Sequence, residues 1–142
     1  MSEKKLKHLS PSEAWQLIQN NPRAVLVDVR STPEVLFVGH PRGSVHIPWL
    51  DEPDWTVNPH FVTRVRELML GGILSGRGRD APPIILICRS GKRSIDAGQA
   101  LIDAGFTEIY NVLDGFEGDL DENRHRNTTA GWRFEGLPWE QC

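Results

Sequence analysis

The chain has 142 residues, which is enough for one domain that buries a core without disulfide or metal cross-links. Charged residues are frequent and no apolar run approaches the length of a bilayer span, so a membrane-spanning protein is excluded. A net charge of −3 excludes a general nucleic-acid binder, because such proteins bind phosphates through a basic surface.

The two cysteines indicate a reducing compartment. Cys142 is the last residue of the sequence, where chains usually fray, so a disulfide with Cys88 is not expected. The N-terminal segment is charged and contains no hydrophobic run of the secretory kind. We therefore expect a cytoplasmic protein in which Cys88 remains a free thiol and Cys142 is an idle one.

Hydrophobic periodicity and turn residues predict alternating helices and strands. Ser10 and Glu13 form the pattern of a capping box before the first helix, and Asn58 and Pro59 mark the start of a later one. In chain order, the predicted elements are a helix at 10–20, a strand at 24–30, a short helix or turn at 32–39, a strand at 44–48, a helix at 58–70, a strand at 84–88, a helix at 94–105 and a strand at 108–113.

This alternation predicts an α/β fold, because parallel neighbouring strands need helical crossovers between them. We expect a central parallel sheet of about five strands with helices on both faces. Residues 71–83 are predicted to form a loop, and residues 116–142 an irregular tail with room for one short helix.

Cys88 ends an apolar run and is followed at once by small and basic residues. In an open α/β sheet, ligands bind beyond the carboxyl ends of the strands, which is where Cys88 is expected to lie. No proline follows within the loop, so each of its residues offers a backbone N–H that can point at one anion. The loop consists of Arg89, Ser90, Gly91, Lys92, Arg93 and Ser94. Its donors and its three cations would stabilise a thiolate.

The alternative interpretation of Cys88 is a small core residue, since a lone cysteine in an apolar strand is more often buried than reactive. Its position at the very end of the run favours a reactive cysteine, and so do three cations within the next five residues. No metal site is predicted, because His40 and His46 have no further ligand at zinc spacing.

Four segments of the sequence contain recognisable motifs, in the order DVRSTPEVLFVGHPRGSVHIP, CRSGKRS, AGFTEIYNVLDGFEG and GWRFEGLP. They resemble, in the same order, motifs of the rhodaneses, a family of sulfurtransferases. The resemblance covers about Val25 to Pro138 and implies a rhodanese-like fold, with a single domain over 1–142 and its core at about 10–138. The first segment is similar to the family's D-x-R … E … G-H … G-A … N-I-P signature, and CRSGKRS is similar to its active-site loop.

The resemblance also implies roles for individual residues. Cys88 would be the catalytic nucleophile that carries a persulfide, and Asp28 and Arg30 would tie loops together. The residues implied to bind the persulfide and the incoming anion are Arg89, Ser90, Gly91, Lys92, Arg93 and Ser94. Related phosphatases and arsenate reductases have a loop one residue longer, whereas the C-x-x-x-x-R spacing here suits a sulfur atom.

The implied activity is that of a thiosulfate sulfurtransferase. Sulfane sulfur would pass from thiosulfate or a related donor to cyanide or a thiol through the Cys88 persulfide, without a metal or organic cofactor. The alternative is a carrier module that receives a persulfide from a sulfur-relay protein and has little activity on free thiosulfate. A phosphatase or arsenate reductase is disfavoured by the loop length.

Overall fold

Helices alternate with the strands of the central sheet along the chain, as the sequence predicts. A computed structural model describes residues 5–51, 53–72 and 81–141. The helices are α1 (Pro11–Asn20), α2 (Thr32–Val38), α3 (Phe61–Gly72) and α4 (Arg93–Asp103). The strands are β1 (Lys7–Leu9), β2 (Val25–Asp28), β3 (His40–Pro41), β4 (Val45–His46), β5 (Leu50–Asp51), β6 (Thr56–Val57), β7 (Ile84–Ile87), β8 (Ile109–Val112) and β9 (Trp139–Glu140).

Five strands form the central sheet in the order β1-β8-β7-β2-β4, and every pair in it is parallel. This confirms the predicted α/β fold and the predicted number of strands. The edge strand β1 was not predicted, because its short, charged sequence carries no apolar signal and its Lys7 and His8 are exposed. Two antiparallel pairs, β3 with β9 and β5 with β6, lie outside this sheet.

Strand β7 lies at the centre of the sheet and is buried on both faces, which explains its continuous apolar run. Alternate residues point to opposite faces, so Ile84 and Leu86 join one core cluster and Ile85 and Ile87 join another. The first cluster contains residues of α3 and α4, and the second contains Ala14 of α1 and residues of the C-terminal segment. Helices therefore cover both faces, as predicted.

Local hydrogen bonds explain where the helices begin. The capping box predicted for α1 is present, with Ser10 Oγ accepting from the N–H of Glu13 at 3.1 Å and the Glu13 carboxylate accepting from the N–H of Ser10 at 2.8 Å. Helix α3 begins at Phe61, later than predicted, because Asn58 accepts from the N–H of His60 and forms a turn of its own.

The C-terminal tail contains no helix between Leu113 and Gln141, so the prediction of room for a short helix there is wrong. Turns and the β3–β9 pairing organise it instead, and Trp132 is fully buried against the sheet. The predicted 71–83 loop lies mostly in the part that is not described, as does Cys142. None of the described helices combines the length and the apolar character that a bilayer span requires.

Candidate active site

Cys88 is the first residue after β7 and is only 1% exposed. Its sulfur lies on the α4 face of the sheet, in the same core cluster as Leu86 two residues earlier. The chain then curls back, so that Sγ accepts from the N–H of Gly91 at 3.2 Å and from the N–H of Ser94 at 3.4 Å. Two backbone donors therefore point at the sulfur at the carboxyl end of a central strand.

Gly91 allows this curl. Its φ of +97° lies in the left-handed region, and a Cβ at this position would be 3.0 Å from the backbone nitrogen of Asp114. A larger residue would have to displace either the loop or the neighbouring turn. The glycine is therefore required both by backbone conformation and by space.

Residues 113–118, which follow β8, form hydrogen bonds to the backbone at the start of the loop. The N–H of Phe116 donates to the carbonyl of Cys88 at 2.8 Å, and the N–H of Glu117 donates to the carbonyl of Arg89 at 2.9 Å. Gly115 makes this contact possible, because a Cβ there would lie 2.4 Å from the carbonyl oxygen of Cys88. We call residues 115–118 the supporting turn.

A buried hydrogen-bond chain continues from the sulfur into the sheet. Ser94 Oγ is 3.3 Å from Cys88 Sγ, and the Ser94 hydroxyl also donates to Oδ1 of Asn111. Asn111 is fully buried on β8, and its Nδ2 lies 3.2 Å from Nδ1 of His8 on β1. Neither Asn111 nor His8 was predicted as a site residue, although a polar residue in a strand of hydrophobic residues was a signal for Asn111.

Arg93 begins α4 and is paired with a carboxylate of α2. Its Nη1 and Nη2 each donate to one oxygen of Glu34 at 2.8 Å, while Ser31 donates to the same carboxylate from its hydroxyl and its backbone N–H. Burial alone would raise the pKa of Glu34, but the hydrogen bonds from Arg93 and Ser31 lower it to about 2. The pKa of Arg93 is raised, mainly by the hydrogen bond to Glu34 and less by the nearby Cys88. Both groups are therefore charged at neutral pH.

The other basic residues of the loop, Arg89 and Lys92, are exposed. Among the residues that the structure describes, no carbonyl accepts from the backbone N–H groups of Arg89, Ser90 or Lys92. The residues predicted for the loop all follow Cys88 in an unbroken run, but their contacts differ. Gly91 and Ser94 contact the sulfur, and Arg93 contacts Glu34. The backbone N–H groups of Arg89, Ser90 and Lys92 are available to a bound anion.

Asp28 and Arg30 are fully buried and bind each other. Arg30 donates from Nε and Nη2 to the two oxygens of Asp28 at 2.9 and 2.6 Å, and from Nη2 to the carbonyl of Gly39 at 2.5 Å. The guanidinium also lies over the ring of Phe116, 4.4 Å from its centroid. This buried pair links the end of β2 to the supporting turn.

The two histidines considered for metal binding have other contacts. His46 Nε2 is 2.7 Å from the carbonyl of Arg30, and His40 Nδ1 is 3.4 Å from the hydroxyl of Ser44. Within the described ranges, no three side chains from His, Cys, Asp or Glu are grouped to hold a metal ion.

The fold and the loop together define a class of α/β proteins in which a cysteine at the end of a central parallel strand lies within a short loop of backbone donors. The chain belongs to the rhodanese family: the Rhodanese-like domain model matches residues 10–122. This confirms the family resemblance carried by the motifs.

Individual relatives are similar over almost the whole chain. The crystal structure of Rv0390 from M. tuberculosis has a TM-score of 0.82 and 42% identity, and the match covers 99% of this chain and 100% of that one. The uncharacterized protein RC0915 of Rickettsia conorii is 29% identical over 141 residues, 95% of this chain and 98% of its own length. The thiosulfate sulfurtransferase GlpE of Actinobacillus pleuropneumoniae serotype 3 is 28% identical over 138 residues, 93% of this chain and 91% of its own length.

Proposed function

We propose that this protein is a sulfurtransferase in which Cys88 carries a persulfide, with thiosulfate or a related sulfane compound as the donor. The observation that carries the proposal is the geometry at Cys88 Sγ, which accepts from two backbone N–H groups at the end of a central strand. Such donors stabilise a sulfur anion without a metal or organic cofactor. Similarity to a relative named as a thiosulfate sulfurtransferase supports thiosulfate as the donor.

The first half-reaction transfers sulfur to the enzyme. The Cys88 thiolate attacks the outer sulfur of thiosulfate, a sulfur–sulfur bond forms at Sγ, and the original sulfur–sulfur bond breaks. Sulfite leaves with the electron pair of that bond. The exposed cations Arg89 and Lys92 attract the anionic donor and stabilise the departing sulfite, while Arg93, already paired with Glu34, fixes the start of α4.

The second half-reaction returns Cys88 to its thiolate. Cyanide or a thiolate attacks the outer sulfur of the persulfide, and the electron pair of the breaking bond remains on Cys88 Sγ. We expect the persulfide to accept hydrogen bonds from the backbone N–H groups of Arg89, Ser90 and Lys92. No carbonyl of the described residues accepts from these groups. Because donor and acceptor use the same site in turn, kinetics with thiosulfate and cyanide should give parallel double-reciprocal lines.

The deciding experiment is intact mass spectrometry after a brief incubation with thiosulfate. The wild type should gain one sulfur atom and lose it on addition of cyanide. Cys88→Ser should gain none, whereas Cys142→Ser, which removes the other cysteine of the chain, should behave as the wild type does. Sulfur that appears on Cys88→Ser would refute the assignment of the nucleophile.

A protein that fails to gain sulfur from thiosulfate would refute the thiosulfate reaction. The same measurement with a persulfidated protein as donor then tests the carrier function. Sulfur gained on Cys88 from that donor alone would identify a partner-fed carrier.

A further inference from the structure

Asn111 is a fully buried polar residue in an otherwise apolar strand, β8. The strand registers place it opposite His8 on one side and opposite Leu86 on the other. Residues in register on neighbouring strands point to the same face, so Asn111 and His8 lie on the face that also carries Cys88. Ser94, in the first turn of α4, comes between Asn111 and the sulfur.

The partners of Asn111 determine the orientation of its amide. Nδ2 donates to the carbonyl of Gly91, 3.5 Å away, and lies 3.2 Å from Nδ1 of His8. A carbonyl can only accept, so Nδ2 must be on this side and Oδ1 must be on the side of Ser94. Oδ1 therefore accepts the hydroxyl hydrogen of Ser94.

Ser94 has one hydroxyl hydrogen and two neighbouring acceptors. While that hydrogen is donated to Asn111, Ser94 Oγ can accept from the Cys88 thiol, 3.3 Å away. Once the thiol has ionised, the sulfur can no longer donate to Ser94 Oγ and instead competes with Oδ1 for the hydroxyl hydrogen of Ser94. If the hydroxyl hydrogen of Ser94 stays on Asn111, the thiolate has two backbone donors, the N–H groups of Gly91 and Ser94.

We propose that Asn111 is a positioning residue for Cys88. By taking the hydroxyl hydrogen of Ser94, it limits the hydrogen bonding of the thiolate and keeps the sulfur strongly nucleophilic, because nucleophilicity falls as an anion is stabilised. His8 holds the amide in this orientation from the solvent side. The inference rests on the proposed function only in taking Cys88 as the nucleophile.

Alkylation of Cys88 by iodoacetamide tests this in the Cys142→Ser background, where Cys88 is the only thiol. Asn111→Leu, similar in size, removes the competing acceptor and leaves the Ser94 hydroxyl to the sulfur. The pH at which alkylation reaches half of its plateau rate should fall by about one unit, the size expected for one hydrogen bond to a charged group. The plateau rate should fall about threefold, as the dependence of thiolate reactivity on basicity requires.

Two variants separate this effect from simple loosening of the site. In the Ser94→Ala background, Asn111→Leu should produce no shift, because the hydroxyl through which it acts is absent. Tyr110 lies on the other face of β8, where its hydroxyl donates to Glu108. Tyr110→Phe removes that hydrogen bond and should leave the pH profile of alkylation unchanged. Loosening of the loop would move the Asn111→Leu profile to higher pH, and that result, or an unchanged profile, would overturn the proposal.

A measurement without any change at Asn111 covers the case in which Asn111→Leu does not fold. The side-chain amide signals of Asn111 should move in NMR spectra over the same pH range as the alkylation rate, in addition to any movement caused by the adjacent His8. The movement that follows the alkylation rate should be absent in Cys88→Ser, which keeps His8. Signals that move equally in both proteins would overturn the proposal. Neither experiment uses a sulfur donor, so failure of sulfur transfer and failure of the positioning role are distinguishable.

Discussion

Replacing Glu34 by Gln tests how strongly the ion pair between α2 and α4 stabilises the protein. Glu34 and Arg93 are 19% and 23% exposed, so solvent screens the pair only weakly. Folding lowers the pKa of Glu34 from 4.5 to about 2. That difference corresponds to about 3 kcal/mol of folding free energy, because each pKa unit corresponds to about 1.4 kcal/mol. Glu34→Gln should therefore lower the free energy of unfolding by about 2 to 3 kcal/mol at pH 7.

The effect should depend on pH in a direction fixed by the lowered pKa. A carboxylate whose pKa falls on folding stabilises the folded state above its unfolded pKa, here 4.5, and the stabilisation disappears as the pH falls to about 2. The difference between wild type and Glu34→Gln should thus be full at pH 7 and about halved at pH 3. Urea unfolding followed by tryptophan fluorescence at both pH values measures it.

Glu13→Gln is the matched control, because Glu13 occupies the same capping-box position in α1 but is exposed, and among the described residues its carboxylate accepts from the N–H of Ser10 alone. It should cost less than about 1 kcal/mol at either pH. A loss for Glu34→Gln no larger than that of the control would refute the reasoning. An equal loss at pH 7 and pH 3 would refute the assigned cause.

Two further predictions concern the surroundings of Cys88. Gly115→Ala should slow alkylation and sulfur transfer at least about tenfold, because its Cβ would lie 2.4 Å from the carbonyl oxygen of Cys88. Gly136→Ala should leave both rates unchanged, because Gly136 has a similarly positive φ but no described atom within 4 Å of an added Cβ. Rates that fall equally in both variants would mean that strain rather than contact matters. Arg89→Ala and Lys92→Ala should each raise the KM for thiosulfate about two- to fivefold at low salt, and an increase that persists at about 1 M salt would contradict a role as exposed charges.

The sequence predicts most of the scaffold because its main signals are local. The apolar run before Cys88 became the central strand β7, and the pattern at Ser10 and Glu13 became a capping box. Strand β1 escaped prediction because an exposed edge strand of three residues needs no apolar periodicity. The start of α3 was misplaced because the side chain of Asn58 forms a turn before the helix begins.

The candidate site was predictable only in part. The loop itself is contiguous in sequence, so its backbone donors could be anticipated from the absence of proline and from Gly91. The pairing of Arg93 with Glu34 joins residues 59 positions apart, and the contact of Asn111 with His8 joins residues 103 positions apart. Such contacts depend on how the strands are ordered in the sheet, which local patterns do not specify.

The supporting turn fixes the direction of the two peptide groups on either side of Arg89. A trans peptide unit is planar and holds its carbonyl and the following N–H on opposite sides. Because the carbonyls of Cys88 and Arg89 both point to the N–H groups of the turn, the N–H groups of Arg89 and Ser90 must point away from it. The supporting turn therefore orients the dipoles of the loop before any ligand binds. A change in the length of this turn would rotate those dipoles even if every residue of the loop were kept.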